Sequence, residues 1–173
     1  MIIRKASEKD ISSVAAVYGA IHTAEEAGRA TVGWVRGIYP TEHTAQAALL
    51  RGDLFVLEDE GKIVGTAIIN QIQCDGYEHA AWENPAGEHE IMVLHTLVID
   101  PAAAGKGFGK SFVGFYEDYA RQNGCRVLRM DTNERNARAR AMYKKLGYKE
   151  IGVIPTVFNG IQGVNLVLLE KKL

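Results

Sequence analysis

The sequence predicts an α/β protein built on one mixed, mostly antiparallel sheet with helices on its faces. Three observations predict it. Apolar residues alternate between strand and helix spacing in the order β-α-α-β-β-β-α-β-α-β-β. The stretch from Ile91 to Met130 reads strand, loop, helix, strand, a crossover that requires a locally parallel pair. The other strands come as hairpin material. The chain has 173 residues, the length of a single domain spanning residues 1–173. A domain of that size buries roughly 70% of its unfolded surface and needs no staples.

The elements follow in order. "MIIRKA" is a short first strand. Ser7 with Asp10 resembles a capping box, although glutamate or glutamine is the usual third-turn partner. Ile11, Val14, Ala15, Tyr18 and Ile21 recur at helical spacing, so a helix covers residues 8–26. "GRATVGWVRGIYP" is irregular. Thr41 caps a second helix through Leu50, with Ala45, Ala48 and Leu49 on one face. "DLFVLEDEGKIVGTAIIN" is a hairpin in which Gly61 supplies positive φ. Residues 71–90 are polar and long for a loop, which favours a functional flap or lid if they have no structure of their own.

"IMVLHTLVID" is a near-continuous apolar run, the mark of a central strand covered on both faces. Gly109 to Asn123 reads as a helix with Phe112, Val113, Tyr116 and Ala120 on one stripe, closed by Gly124. "RVLRMDT" is another strand. "NERNARARAMYKKLG" is a helix with Ala139, Met142, Tyr143 and Leu146 on one side. "YKEIGVI" and "GVNLVLLEKK" are the last strands.

Composition excludes several classes. A formal net charge of −1 gives no overall field for nucleic acid or an anionic membrane. Two cysteines, Cys74 and Cys125, are expected to be reduced. No metal is expected, because Cys-x-x-Cys is absent and the five histidines are scattered. No run approaches the roughly 20 apolar residues of a membrane span, and the N-terminus carries no signal-peptide stretch. A cytoplasmic protein is the expectation.

"PAAAGKGFGKS", residues 101–111, suits phosphate: glycines let backbone N–H groups approach an anion, and a helix N-terminus adds partial positive charge. A nucleotide P-loop needs G-x-x-x-x-G-K-[ST]. Gly109, Lys110 and Ser111 fit that pattern and Ala104 does not. A second segment, "NARARAMYKKLGY" (Asn136 to Tyr148), has the pattern N-x-x-A-x-x-x-Y-x-K-x-G-[FY]. With the strand "HTLVIDP" and the loop "GKGFG", in this order and separation, the chain resembles the GNAT superfamily of acetyl-CoA-dependent N-acetyltransferases.

That resemblance implies a GNAT-like acyl-CoA N-acyltransferase fold and acetyl-CoA as co-substrate. It implies transfer of the acetyl group to a primary amine of a small molecule or peptide, by direct attack in a ternary complex. The coenzyme positions it implies are Leu97, Val98 and Ile99 on the strand, Ala104 to Lys110 on the loop (Ala104, Gly105, Lys106, Gly107, Phe108, Gly109, Lys110), and Asn136, Ala139 and Tyr143 on the following helix. Ala104 departs from the arginine or glutamine usual there, so one side-chain contact is missing.

The backbone at Leu97 and Val98 is expected to polarise the carbonyl, and Tyr143 to protonate the leaving sulfur. Packing on the core is the other reading of Tyr143, and a plain helix cap that of Asn136. His95 is a candidate base if no bulge intervenes, since it then shares the face of Leu97; a satisfied core histidine is the alternative. Glu90, Glu78, His79 and Glu83 are weaker candidates.

Trp34, Tyr39, Tyr77, Trp82 and Phe158 fall in loops or loop–strand junctions, where the resemblance implies aromatics that line an acceptor pocket or cage a cationic amine; packing at the edge of the core is the alternative for each. A homodimer is frequent in such a family, and a catalytically silent acyl-CoA-binding sensor is the rival function.

Overall fold

The computed structural model describes residues 1–173. Its strands are β1 (Ile2–Lys5), β2 (Leu54–Asp59), β3 (Lys62–Asn70), β4 (Ile91–Ile99), β5 (Val127–Asn133), β6 (Lys149–Phe158) and β7 (Ile161–Lys172). Its helices are α1 (Ile11–Glu26), α2 (Glu42–Arg51), α3 (Phe108–Gln122) and α4 (Ala137–Lys145), so the predicted order holds throughout. The strands form one sheet, β1-β2-β3-β4-β5-β7-β6. Every neighbouring pair is antiparallel except β4–β5, the pair joined by the α3 crossover.

Local chemistry accounts for the element ends. The Asp10 carboxylate accepts from the Ser7 N–H at 2.8 Å, the acidic half of a capping box, and from Arg4 at 2.8 and 3.0 Å. The Arg4 hydrogen bonds hold its carboxyl well below the usual range. Thr41 caps α2, and Gly52 ends it in the left-handed region at φ 76°. Glu60 and Gly61 both have positive φ (50° and 75°), the two-residue turn whose twist matches a hairpin.

Two boundaries differ from expectation. Asn136 accepts the Ala139 N–H, so α4 starts at Ala137 rather than Asn133. The last hairpin is longer than expected: β6 continues to Phe158 and turns at Asn159–Gly160, with φ 48° and 86°. Pro155 hides this strand in the sequence. It is tolerated because β6 is the sheet edge.

The sheet buries different residues on its two faces. Phe55, Leu57, Ala67, Ile69, Met92, Leu94, Leu128, Met130, Val167 and Leu169 meet α3 and α4 in one large cluster, with the predicted α3 stripe (Phe112, Val113, Tyr116, Ala120) fully buried. The opposite face carries two separate clusters. Leu54, Val56, Ile68 and Val98 pack on α1 and α2. Ile91, Val93, Val127, Leu166 and Leu168 pack instead on residues 71–90.

That segment is a fixed layer and not the flap expected from its polarity. It contains two short 3-10 turns, Tyr77–His79 and Glu88–Glu90. Tyr77 is 1% exposed, and the Trp82 indole N–H donates to the Tyr77 carbonyl at 2.7 Å. The Arg129 guanidinium lies 4.1 Å from the Trp82 ring centroid and donates to Gln73 at 2.6 Å. One oxygen of Glu170 accepts the N–H groups of Glu83 and Asn84 (both 3.1 Å) and the Asn84 amide (2.8 Å). Arg129 and Glu170 thus pin the segment across the sheet. No helix is long and apolar enough to cross a membrane.

Candidate active site

The site begins where the sheet comes apart. The β4–β5 ladder stops at Leu94–Met130, although β4 continues to Ile99 and β5 to Asn133. A bulge against β3 shifts the register between His95 and Val98. Thr96 carries it at φ 50°, a costly conformation for a β-branched residue, about 1–3 kcal/mol, which the surroundings must impose. The Tyr39 hydroxyl hydrogen-bonds the Thr96 hydroxyl at this point. Leu97, Val98 and Ile99 therefore lie in the stretch of β4 without a β5 partner.

The bulge corrects the geometry expected of His95. Before it, Ile91 and Val93 face residues 71–90; after it, Val98 takes that side while Leu97 and Ile99 turn to the α3 side. His95 and Leu97 consequently do not share a face. The Asn70 side chain donates to Asp53 and its oxygen accepts the Ile72 N–H at 2.9 Å, so that oxygen must accept from His95 Nε2 (3.0 Å). Nδ1 is left facing the Cys74 thiol at 3.5 Å. Burial lowers the ring to about 4, so it is neutral around pH 7. Both ring nitrogens are engaged by the protein.

The glycine loop sits at one end of the opening. Gly105 and Gly107 have φ of 88° and 82°, and space beyond both is open to a Cβ, so backbone conformation alone calls for glycine. Gly107 caps α3. The N–H groups of the first turn, from Phe108 to Lys110, have no acceptor within the helix and sit at its positive end. Ala104, Gly107, Gly109 and Lys110 line the cleft. Two side chains of the loop do otherwise: Phe108 turns into the core, and Lys106 lies over its ring at 5.8 Å. Gly105, Lys106 and Phe108, predicted as coenzyme positions, are not among the residues that line the cleft.

Helix α4 closes the same cleft. Asn136, Ala139, Met142 and Tyr143 line it. Asn136 is also the cap expected as its alternative role. Tyr143 is 6% exposed and belongs to the core cluster, the packing expected as its alternative, while it also lines the cleft. Burial, reinforced by Asp131, pushes its phenol well above the usual range.

The cleft measures about 1380 Å³ and runs between the two clusters on the α1 side. At its other end Tyr39 packs edge-on to Trp34 and Phe158, with centroids 6.0 and 5.4 Å apart, and all three line it. The loop bearing Trp34 is fixed by Glu25, which accepts the Val32 and Gly33 N–H groups at 2.8 and 3.1 Å. Tyr77 and Trp82, the other two aromatics singled out, are structural. The four weaker base candidates also lie elsewhere: Glu90 pairs with Arg126, Glu83 with Lys149, and Glu78 with His79.

One lining residue is unexpected. Asp131 stands on β5 just past the last β4–β5 pair and accepts from the Tyr77 hydroxyl at 2.7 Å. Burial pushes its carboxyl above the usual range. The signal was present: an acid at the carboxyl end of a parallel strand beside a crossover is where open sheets place ligands.

The chain is similar to known proteins. The acetyltransferase (GNAT) family model matches residues 18–148. An uncharacterized N-acetyltransferase of Methanocaldococcus jannaschii is 29% identical over 100 residues, 58% of this chain and 40% of that relative. The chain thus matches under half the length of that protein. A GNAT-family acetyltransferase from Streptococcus agalactiae has a TM-score of 0.80 at 20% identity, covering 99% of this chain and 95% of its own. yncA from Salmonella typhimurium, solved with its cofactor acetyl-CoA, has a TM-score of 0.67 at 21% identity, covering 99% and 92%. At such identities the two solved structures share the fold.

Proposed function

Because the chain belongs to the acetyltransferase (GNAT) family, we propose that it transfers the acetyl group of acetyl-CoA to a primary amine. The observation that carries this reading is the convergence of three features on one cleft: the unpaired stretch of β4, the left-handed glycine loop and Tyr143. The loop suits a pyrophosphate through backbone N–H groups and Lys110. The open β4 edge suits an extended pantetheine arm, which would add to the sheet like a strand. Leu97 and Val98 supply backbone polarity at the carbonyl.

Chemistry then has three demands. The amine must be neutral, and at pH 7 only about one lysine-like amine in a few thousand is. The carbonyl oxygen must be stabilised, and the sulfur must leave. Tyr143, protonated at neutral pH, donates to that sulfur. Holding both substrates in one cleft supplies much of the remaining acceleration. His95 has no free nitrogen and serves instead to order Asn70 and Cys74 beside the acceptor.

Ala104 favours a second reading, a silent acyl-CoA-binding protein, since it removes one expected contact. Free-thiol release from acetyl-CoA over a panel of primary amines separates them. Coenzyme binding without acetylation of any amine supports the silent protein. Ala104 is exposed at the cleft mouth. Ala104→Arg is expected to tighten coenzyme A binding by roughly 3–10-fold, the value of a solvent-exposed charge-assisted contact. Calorimetry showing an unchanged dissociation constant would refute the placement of the pyrophosphate on this loop.

A further inference from the structure

Resting on the acetyl-transfer reading above, we infer that the acceptor is an α-amino acid with an apolar side chain, whose carboxylate is read by the Asn133 amide and Arg29. The cleft is unbalanced in charge. Its lining carries four fixed cations, Arg29, Arg51, Lys110 and Arg138, and one acid, Asp131. Arg51 is committed to Asp53. Lys110 and Arg138 also line, with Lys145, a smaller pocket between α3 and α4, at the end that suits the coenzyme phosphates. Arg29 remains. The acids nearest to it in the chain are used elsewhere: Glu25 accepts the Val32 and Gly33 N–H groups and pairs with Arg135, and Glu26 pairs with Arg36. A cation left open on a cleft wall attracts an anion.

Asn133 supplies the second, independent observation. It ends β5 beyond the last β4–β5 pair, lines the cleft and is 8% exposed. Its Oδ1 accepts the Arg135 N–H at 3.0 Å, which fixes the orientation of the amide. The Nδ2 donor lies against Gly33, where a Cβ would come within 2.2 Å of it, and no protein atom accepts from it. The sealed side-chain atoms without a partner are Tyr18 Oη and His22 Nδ1, so Asn133 Nδ2 stays open to the cleft. A donor this nearly buried costs stability until something accepts from it. Gly33, at φ 75° and without a side chain, lets the loop that follows Arg29 close on this amide.

A carboxylate satisfies both groups, one oxygen toward the amide and the other toward the guanidinium. Asp131, two residues earlier on the strand, already accepts from Tyr77, and its charge directs a second carboxylate away from it. Trp34, Tyr39 and Phe158 offer apolar faces for the amino acid's side chain. An amine without the carboxylate leaves Asn133 and Arg29 unpaired, the situation in which a polar site rejects an analogue.

Each amino acid is tested against the amine that lacks only its carboxylate, phenylalanine against phenethylamine and leucine against isopentylamine. In the parent, kcat/KM is expected to be about 10–10²-fold higher for the amino acid, the worth of a charge-assisted contact. That preference should shrink as salt rises, because Arg29 is exposed. Asn133→Asp keeps an oxygen for the Arg135 N–H and puts a negative charge where the donor was, so the preference is expected to reverse. Arg29→Gln, at an exposed position, is expected to reduce it by about 3–10-fold. Amines that match or exceed their amino acids in the parent, or a parental preference in both variants, overturn the inference and leave acetyl transfer standing. Phenylalanine amide acetylated as fast as phenylalanine overturns it in favour of a peptide amino terminus. Calorimetry with coenzyme A present separates the two levels. Phenylalanine that binds the parent, binds Asn133→Asp at least about 10-fold more weakly and is never acetylated sustains the carboxylate site and defeats acetyl transfer. A parent that neither binds nor acetylates either amino acid overturns the inference.

Discussion

Tyr143→Phe is expected to lower kcat by about 10²–10⁴-fold, the usual worth of a positioned proton donor, with the acetyl-CoA dissociation constant within about two-fold of the parent. The ring is retained, so the edge-on contact with Tyr148 at 6.0 Å and the packing in the α3–α4 core survive. Stability should hardly move. The loss then belongs to the proton and not to the fold. The pH profile adds a second reading of the same group. Burial and Asp131 raise its phenol, and an acid works while protonated. Activity should therefore persist on the alkaline side past the ordinary tyrosine range before it falls. Single-turnover kinetics with an amine that the parent acetylates would check both. Unchanged turnover in the variant would remove Tyr143 from the chemistry and leave it a core residue.

The legible and illegible parts of this site differ for physical reasons. Periodicity shows elements whose faces are uniformly buried, and every helix and strand was readable in order. Tyr143 and Asn136 were readable because their spacing matches a family pattern. The bulge was not, because Thr96 is an ordinary strand residue whose φ of 50° depends on packing from Tyr39 and β3. That single residue put His95 and Leu97 on opposite faces. Residues 71–90 read as a flap because their burial comes from isolated anchors: one tyrosine, one tryptophan and backbone N–H groups held by Glu170 from 87 and 86 residues away. Asp131 was visible as an acid at a strand end, but the Tyr77 hydroxyl that it accepts from lies 54 residues away in the chain. Long-range pairing of that kind leaves no local trace.

Those anchors carry the second large prediction. Glu170→Ala is expected to destabilise the protein by about 3–5 kcal/mol, the cost of leaving one partner of a buried ion pair alone. For a chain of this size that corresponds to a fall in Tm of roughly 6–20 °C. Arg129 and Glu170 are 7% and 1% exposed in their side chains, so solvent cannot replace the lost partner. Burial already lowers the Arg129 pKa, and Glu170 opposes that shift. The substitution also strands the N–H groups of Glu83 and Asn84. Arg129→Met with Glu170→Leu should cost less than Glu170→Ala alone, because no charge is left buried. Thermal and urea unfolding of the three proteins would test the order. A Glu170→Ala protein as stable as the parent would mean that the pair contributes little. The consequence for function follows from geometry. Glu170 touches nothing in the cleft, but it holds the layer from which Tyr77 reaches Asp131. Below its lowered Tm, Glu170→Ala should therefore still bind coenzyme A normally, since the residues of α4 and those flanking the glycine loop pack in a different core cluster from residues 71–90.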